Sequence, residues 1–352
     1  MDAQKVAEMP KITKETKNKI RVEFEDRTPL KERLKKKLLS SYFWTNVVWY
    51  FFRIVLMIGI SYVILFPFFS KIAGSFMGPE DFVDVTVRII PKHFTFDTYK
   101  AIFLENKYME AFLNTTILSV SCAVLQTFIS CFVGYGLAKF KFKGRGLVFA
   151  LVILTMIVPH DTLRLAFTMH FRYFDFGGIQ GIGIPGLIGL LTGGKTLSLL
   201  NTFWPLIIIS ITGLAFKNGL YIFMMRQFFN GVPDELEESA YVDGSDVFRT
   251  FFQIIIPLSV PMMITIFLFS FSWQWTDDFY TTVFFPTANK YVLMPHIVEI
   301  PESLMTSYAG QSLYYMAIKN TCGIMIIMPL VIVFLFCQKY LVQGIERSGI
   351  VG

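Results

Sequence analysis

The densest set of residues able to hold a polar solute is Trp273-Gln274-Trp275-Thr276-Asp277-Asp278-Phe279-Tyr280. Aromatic rings stack on the C–H faces of sugars, and acids or amides bond to hydroxyls, so these types suit a sugar. They equally suit an aromatic belt at a membrane boundary with solvated acids beside it. On a helix Trp275 and Asp277 would face different ways, whereas Gln274 and Asp278 share a face. Asn114, Gln126, Asn218, Lys319 and Asn320 are further polar residues in apolar surroundings. Each could line a path or make an interhelical hydrogen bond.

Other patterns carry less chemistry. Gly189, Gly194, Lys195 and Thr196 fit G-x-x-x-x-G-K-[ST]. That motif needs a buried strand feeding a turn at a helix N-terminus, whose amides cradle phosphates. Here the preceding stretch is Gly-rich, is broken by Pro185 and has no strand with an acid for magnesium. An external Gly-rich loop is the expectation, with a re-entrant hairpin as a variant of it. His93, His160, His170 and His296 show no metal-ligand spacing. No nucleophile elbow or paired carboxylate stands out, so neither catalysis nor a metal is expected. Cys122, Cys131, Cys322 and Cys337 lie in apolar runs and read as small buried hydrophobes.

The elements that position these residues follow from composition. Of 352 residues 54% are hydrophobic and 16% charged, against about 45–50% and about 25% in soluble chains. Mean hydropathy is +0.54. A soluble enzyme and a disordered chain are both excluded, and the net charge of +6 needs no nucleic acid once its placement is seen. Six stretches reach the about 20 apolar residues that a membrane crossing takes. They run from about Val47 to Phe69, Leu113 to Leu137, Leu147 onward, Phe203 to Phe229, Val260 to Phe285 and Met316 to Tyr340. Pro159 cuts the third, which continues through Leu163–Phe171 if the proline kinks it. The basic runs Lys31 to Lys37 and Lys139 to Arg145 flank the spans on one side. The positive-inside rule therefore puts both termini in the cytoplasm, with outer loops at about 70–112, 160–201 and 286–315. Residues 1–42 form a polar arm, read as a solvated tail or, over Thr28–Leu39, a docking helix. Residues 346–352 form a short tail, and the span-bearing domain fills 43–345.

The loop between the fourth and fifth spans, about 230–258, has internal order. Pro233 suits the first turn of a helix, and acids at 234, 235, 237 and 238 suit its positive end. Gly244 suits a left-handed C-terminal cap, Ser245 the cap of a second helix, and Pro257 its break. Small residues at 239 and 240 allow another protein to approach closely. A solvated acidic loop without a partner would look similar.

This segment resembles the EAA loop of ABC importer permeases. The family's Glu falls on Glu238, its second Ala on Ala240, its Asp-Gly on Asp243-Gly244 and its late proline on Pro257, while Ser239 replaces the first Ala. Pro91 to Tyr99, Asn114-Thr115, Tyr135 to Phe140, Leu199 to Thr202 and the tail from Tyr340 are similar to the carbohydrate, maltose-type group. In span five Trp275 and Asp277 match the family's Trp-Asn-Asp/Glu-Phe stretch, whereas Thr276 and Asp278 depart from it. The Gly177–Lys195 stretch looks inserted. The resemblance implies an all-α membrane protein with six transmembrane helices, the type I ABC importer permease fold, and a cytoplasmic coupling helix. It implies a second homologous permease, two cytoplasmic ATPase subunits that bind ATP and magnesium, an extracytoplasmic binding protein, and a sugar, an oligosaccharide by class. Glu238, Ser239, Ala240, Asp243 and Gly244 would couple to the ATPase. Gln274, Trp275, Asp277, Asp278 and Asn114 are the candidate substrate path. No cofactor is expected in this chain, whose place would be a bacterial or archaeal cell membrane. An ion-coupled secondary transporter is the rival, although it would show more spans and broken helices at mid-membrane.

Overall fold

The computed structural model describes residues 12–16, 19–22, 38, 40–178, 186–287, 291–307 and 310–347. The chain divides into two compact units, Met1–Phe69 and Ser70–Gly352.

The first unit contains the polar arm and has regular structure within it. It holds an antiparallel hairpin, β1 (Ile12–Thr16) and β2 (Lys19–Val22), pairing Ile12 with Val22 and Thr16 with Lys19. The docking helix considered over Thr28–Leu39 lies, apart from Leu38, outside the described residues. Helix α1 (Ser41–Gly74) is longer than the apolar run and buries none of its residues. A helix apolar on every side belongs in a core or a bilayer, not in water.

In the second unit α2 (Asp97–Glu105) leads into α3 (Tyr108–Lys139). Helix α3 is the centre of packing. Its buried stripe is small or polar: Ala111, Thr115, Ser119, Cys122, Gln126, Ser130 and Gly134. Its exposed stripe is large and apolar: Leu113, Ile117, Val120, Val124, Phe128 and Phe132. This reverses the pattern of a soluble helix, and it suits lipid outside and close helix contacts inside.

Onto α3 pack α7 (Trp204–Ile211), α8 (Asn218–Asn230) and α10 (Val247–Trp275). At Gly134 any Cβ would stand 2.6 Å from Met225 Cβ and 3.0 Å from the Arg226 amide of α8. Only glycine allows that approach. Helix α8 also packs on α4 (Arg145–Ile157), and α10 on α12 (Gln311–Arg347).

The expected spans are realised unequally. Among the described residues four helices are long and apolar enough to cross a membrane: α1, α3, α10 and α12 as far as Leu341. The third expected span is a pair, α4 and then His160–Arg172, bent by 93°. It contains a short 3-10 turn at His160–Leu163 and α5 (Arg164–Arg172). Pro159, without an N–H and with fixed φ, sits at the bend. The fourth expected span is not one helix. Gly213 and Lys217 take positive φ of 74° and 66° between α7 and α8. The fifth starts earlier than expected and stops at Trp275, and α11 (Phe279–Phe284) follows as a separate turn.

Pro257 was expected to break a helix, but α10 runs through it. Residues Phe251–Ile255 form a π turn, in which the Ile256 amide reaches back to the Phe251 carbonyl. The wider turn lies where the proline ring would meet the preceding carbonyls, and it absorbs the missing donor.

The Gly-rich insertion is organised by Asp175, a buried acid. Its carboxylate accepts from the amides of Gly186 at 2.6 Å, Ile188 at 2.8 Å and Gly189 at 3.0 Å. It thereby caps α6 (Leu187–Thr192) from eleven or more residues upstream. Residues 179–185 lie outside the described residues.

Candidate functional site

The loop read as a coupling element folds as a short helix, a glycine turn and the start of α10. Helix α9 (Glu235–Val242) begins after Pro233 and Asp234, so the proline precedes the helix and is not within it. Gly244 has φ +81°, and the Ser245 amide bonds back to the Ala240 carbonyl at 2.9 Å. This is the six-residue closure that ends a helix in a left-handed residue. The second helix is capped by Asp246, one residue beyond the expected Ser245: its carboxylate accepts from the Arg249 amide at 2.7 Å. Of the named residues Ala240 is buried, while Glu238, Ser239, Asp243 and Gly244 are exposed. Two large apolar side chains flank the turn in the open, Val242 at 87% exposure and Phe248 at 64%.

One acid of the cluster behaves differently. Glu237 is buried, and Tyr135 of α3 donates to its carboxylate at 3.1 Å. Lys139 Nζ, at the end of α3, lies 3.4 Å from the same group, donates to the Val232 carbonyl at 2.6 Å and meets Asp234 at 2.5 Å. The hydrogen bond from Lys139 holds the exposed Asp234 carboxyl below the usual range. Four acids in a five-residue run look alike in sequence, and only burial singles out Glu237.

The span-five residues divide. Trp275 is buried, and its ring N–H donates to the Ile326 carbonyl of α12 at 2.9 Å, so it ties two helices. Asn114 donates to the Val292 carbonyl at 3.1 Å and pins the segment after α11 to α3. Asp278 is exposed, at the start of α11. Gln274 and Asp277 line one small cavity with Gln126, Phe216, Ser270, Trp273 and Tyr280. There the Gln126 amide donates to Ser210 Oγ at 3.1 Å, and Ser270 Oγ donates to Gln126 at 2.7 Å, joining α3, α7 and α10. The Gln274 amide nitrogen is buried and has no hydrogen-bond partner among the described residues. Asp277 accepts from the Thr281 amide at 3.1 Å.

Beside the cavity lies a cluster of residues the sequence did not single out for this role. His160 Nδ1 and the Tyr280 hydroxyl are 2.5 Å apart. Lys217 Nζ stands 4.6 Å from the Phe216 ring centre and 5.1 Å from that of Trp273. Residues 155–160 with Phe216, Lys217, Gly219 and Leu220 line a neighbouring cavity, and Phe216 lines both. Nothing local in the sequence joins His160 to Tyr280. The link exists because the bend at Pro159 brings His160 to Tyr280 of α11.

The Gly189–Thr196 stretch has the reverse of a phosphate-loop order. Helix α6 precedes Gly194-Lys195-Thr196 instead of following it, and the Gly189 amide is already held by Asp175. Among the described residues no His, Cys, Asp or Glu group could hold a metal ion. Cys122, Cys131 and Cys322 are buried and Cys337 is half-buried, and all four are free.

Residues 126–347 match the family described as the binding-protein-dependent transport system inner membrane component, and the chain belongs to it. It is a multi-pass membrane component of ABC importers and not an enzyme. Among its relatives, the arabinooligosaccharides transport system permease protein AraQ of Bacillus subtilis (strain 168) is 28% identical over 296 residues, 83% of this chain and 92% of that one. The galactooligosaccharides transport system permease protein GanQ of the same organism is 26% identical over 308 residues, 86% and 95% of the two chains. In fold, the chain is similar to a chain of a bacterial ABC transporter involved in the import of the acidic polysaccharide alginate. That TM-score is 0.60, at 21% identity, over 84% of this chain and 97% of the other.

Proposed function

We propose that this chain is one of two homologous permease subunits of an ATP-driven importer of oligosaccharides. The observation that carries this is the turn α9–Gly244–α10 in a member of the permease family, with Val242 and Phe248 bare beside it. Two large apolar side chains bare beside this turn suit a protein contact there. Glu238, Ser239, Asp243 and Gly244 lie on the ATPase side of that contact, and Ala240 packs inward. ATP and magnesium belong to the ATPase dimer, and a binding protein delivers the sugar to the outer loops. Both termini are cytoplasmic. The six crossings are α1, α3, the α4–α5 pair, the α7–α8 pair, α10 and α12.

The names of the relatives support an oligosaccharide as cargo. For its path we take the cavity face: Trp273 and Phe216 as stacking surfaces, with the free Gln274 amide and Asp277 as hydroxyl partners. Helix α1, apolar all round, offers surface to lipid or to the second permease.

Purification from host membranes in mild detergent tests the reading. An ATPase and a second permease should co-purify, and reconstituted vesicles should take up oligosaccharide only with ATP inside and binding protein outside. A chain that purifies alone and accumulates solute on an ion gradient would overturn the proposal in favour of a secondary transporter.

A further inference from the structure

We infer that Lys139, Glu237 and Tyr135 form the mechanical joint through which a displacement of α9 is delivered to α3. The inference rests on the importer reading above and adds the route of coupling within this chain. Tyr135 and Lys139 are one helical turn apart at the end of α3, so they present to one side. Both meet Glu237, at 3.1 Å and 3.4 Å. The Lys139 and Glu237 side chains are only 8% and 9% exposed. Lys139 also holds the Val232 carbonyl and Asp234 ahead of α9. Three points of the loop are thus fastened to one ammonium group.

Burial decides what this does. An exposed ion pair contributes little and gives way under load. Separating Lys139 from Glu237 leaves a buried carboxylate with Tyr135 as its named partner and little water, which opposes the separation more strongly. The joint therefore moves as a body. Tyr135 carries it further, because its ring packs on Phe229 of α8 at 5.5 Å and on Phe251 at 5.0 Å between centroids. Phe251 opens the π turn of α10. Motion at α9 therefore reaches α3, α8 and α10 together, and α3 and α10 line the polar cavity.

The test uses the assembled complex and a reporter far from the joint. Thr276→Cys, just beyond α10, is made in a chain whose native cysteines are replaced, and its labelling by a water-soluble maleimide is timed with and without ATP plus vanadate. In the otherwise unmodified chain the rate should change several-fold when the ATPase is trapped. In Lys139→Met and in the milder Tyr135→Phe, the ATPase should still co-purify and trap nucleotide, but the change should fall below twofold. The double variant Lys139→Met with Glu237→Met, which leaves no buried charge unpaired in the joint and only the exposed Asp234 without its partner, should restore yield and not the response. A wild-type response in Tyr135→Phe and in the double variant overturns the inference, as does the absence of any response in the unmodified joint with the ATPase bound. Failure of the ATPase to co-purify with the unmodified chain instead overturns the importer reading. If Lys139→Met does not assemble, Tyr135→Phe and the double variant decide.

Discussion

At Gly244 the backbone takes φ +81°, and nothing lies within 4 Å of where a Cβ would be. Any loss on substitution is therefore conformational and not a clash. A β-branched side chain in that region costs about 1–2 kcal/mol. Gly244→Val should abolish ATP-driven uptake while insertion and yield stay normal, and Gly244→Asn, which tolerates the left-handed region, should retain most uptake. Full uptake by the valine variant would show that the turn is not needed. Lys195 makes the opposite case. Its stretch follows a helix whose amide Asp175 already occupies, so Lys195→Ala should leave ATP hydrolysis by the assembled complex unchanged. Hydrolysis lost in an intact complex would place a nucleotide on this chain. Glycine at 244 was legible because only one residue type serves that conformation cheaply. The importance of Glu237, by contrast, was not legible, because its meaning comes from Tyr135 and Lys139, about a hundred residues earlier in the chain.

Between elements one close approach is at Gly134, where α3 meets α8 with no room for a methyl group. Overpacking of this kind costs about 1–3 kcal/mol. Gly134→Val should lower the melting temperature of the detergent-purified protein by several degrees. Gly136→Ala, two positions along with nothing within 4 Å, should leave it unchanged or raise it slightly. Equal losses at both sites would refute the packing argument. Thiol labelling along 273–281 should likewise follow the ends of α10 and α11 and not one continuous helix. Positions 273, 276 and 278 are exposed, and 274, 275, 280 and 281 are buried. A single 3.6-residue period through the segment would contradict the break after Trp275. Hydropathy found the four long apolar helices because a bilayer selects for such runs. It could not find the interruption from Thr212 to Lys217, since a run of apolar residues reads the same whether or not the helix through it is continuous. Nor could it foresee that Pro257 would be accommodated by a π turn upstream.

Across the whole molecule, α3 is the helix on which α7, α8 and α10 all pack, and it precedes them all in the chain. Helices α7 and α8 have 8 and 13 residues, about 12 Å and about 20 Å at 1.5 Å per residue. Neither alone crosses a hydrocarbon layer of about 30 Å, and the turn between them would strand backbone groups in lipid. They become tolerable only against a surface that already exists. As the chain emerges from the ribosome from its N-terminal end, α3 is in place before either short helix is made. The small and polar stripe down its buried face is thus also a template for membrane insertion. The pair α7–α8 would then be assembled onto it co-translationally, and damage to the α3 stripe would be felt in biogenesis before it is felt in transport.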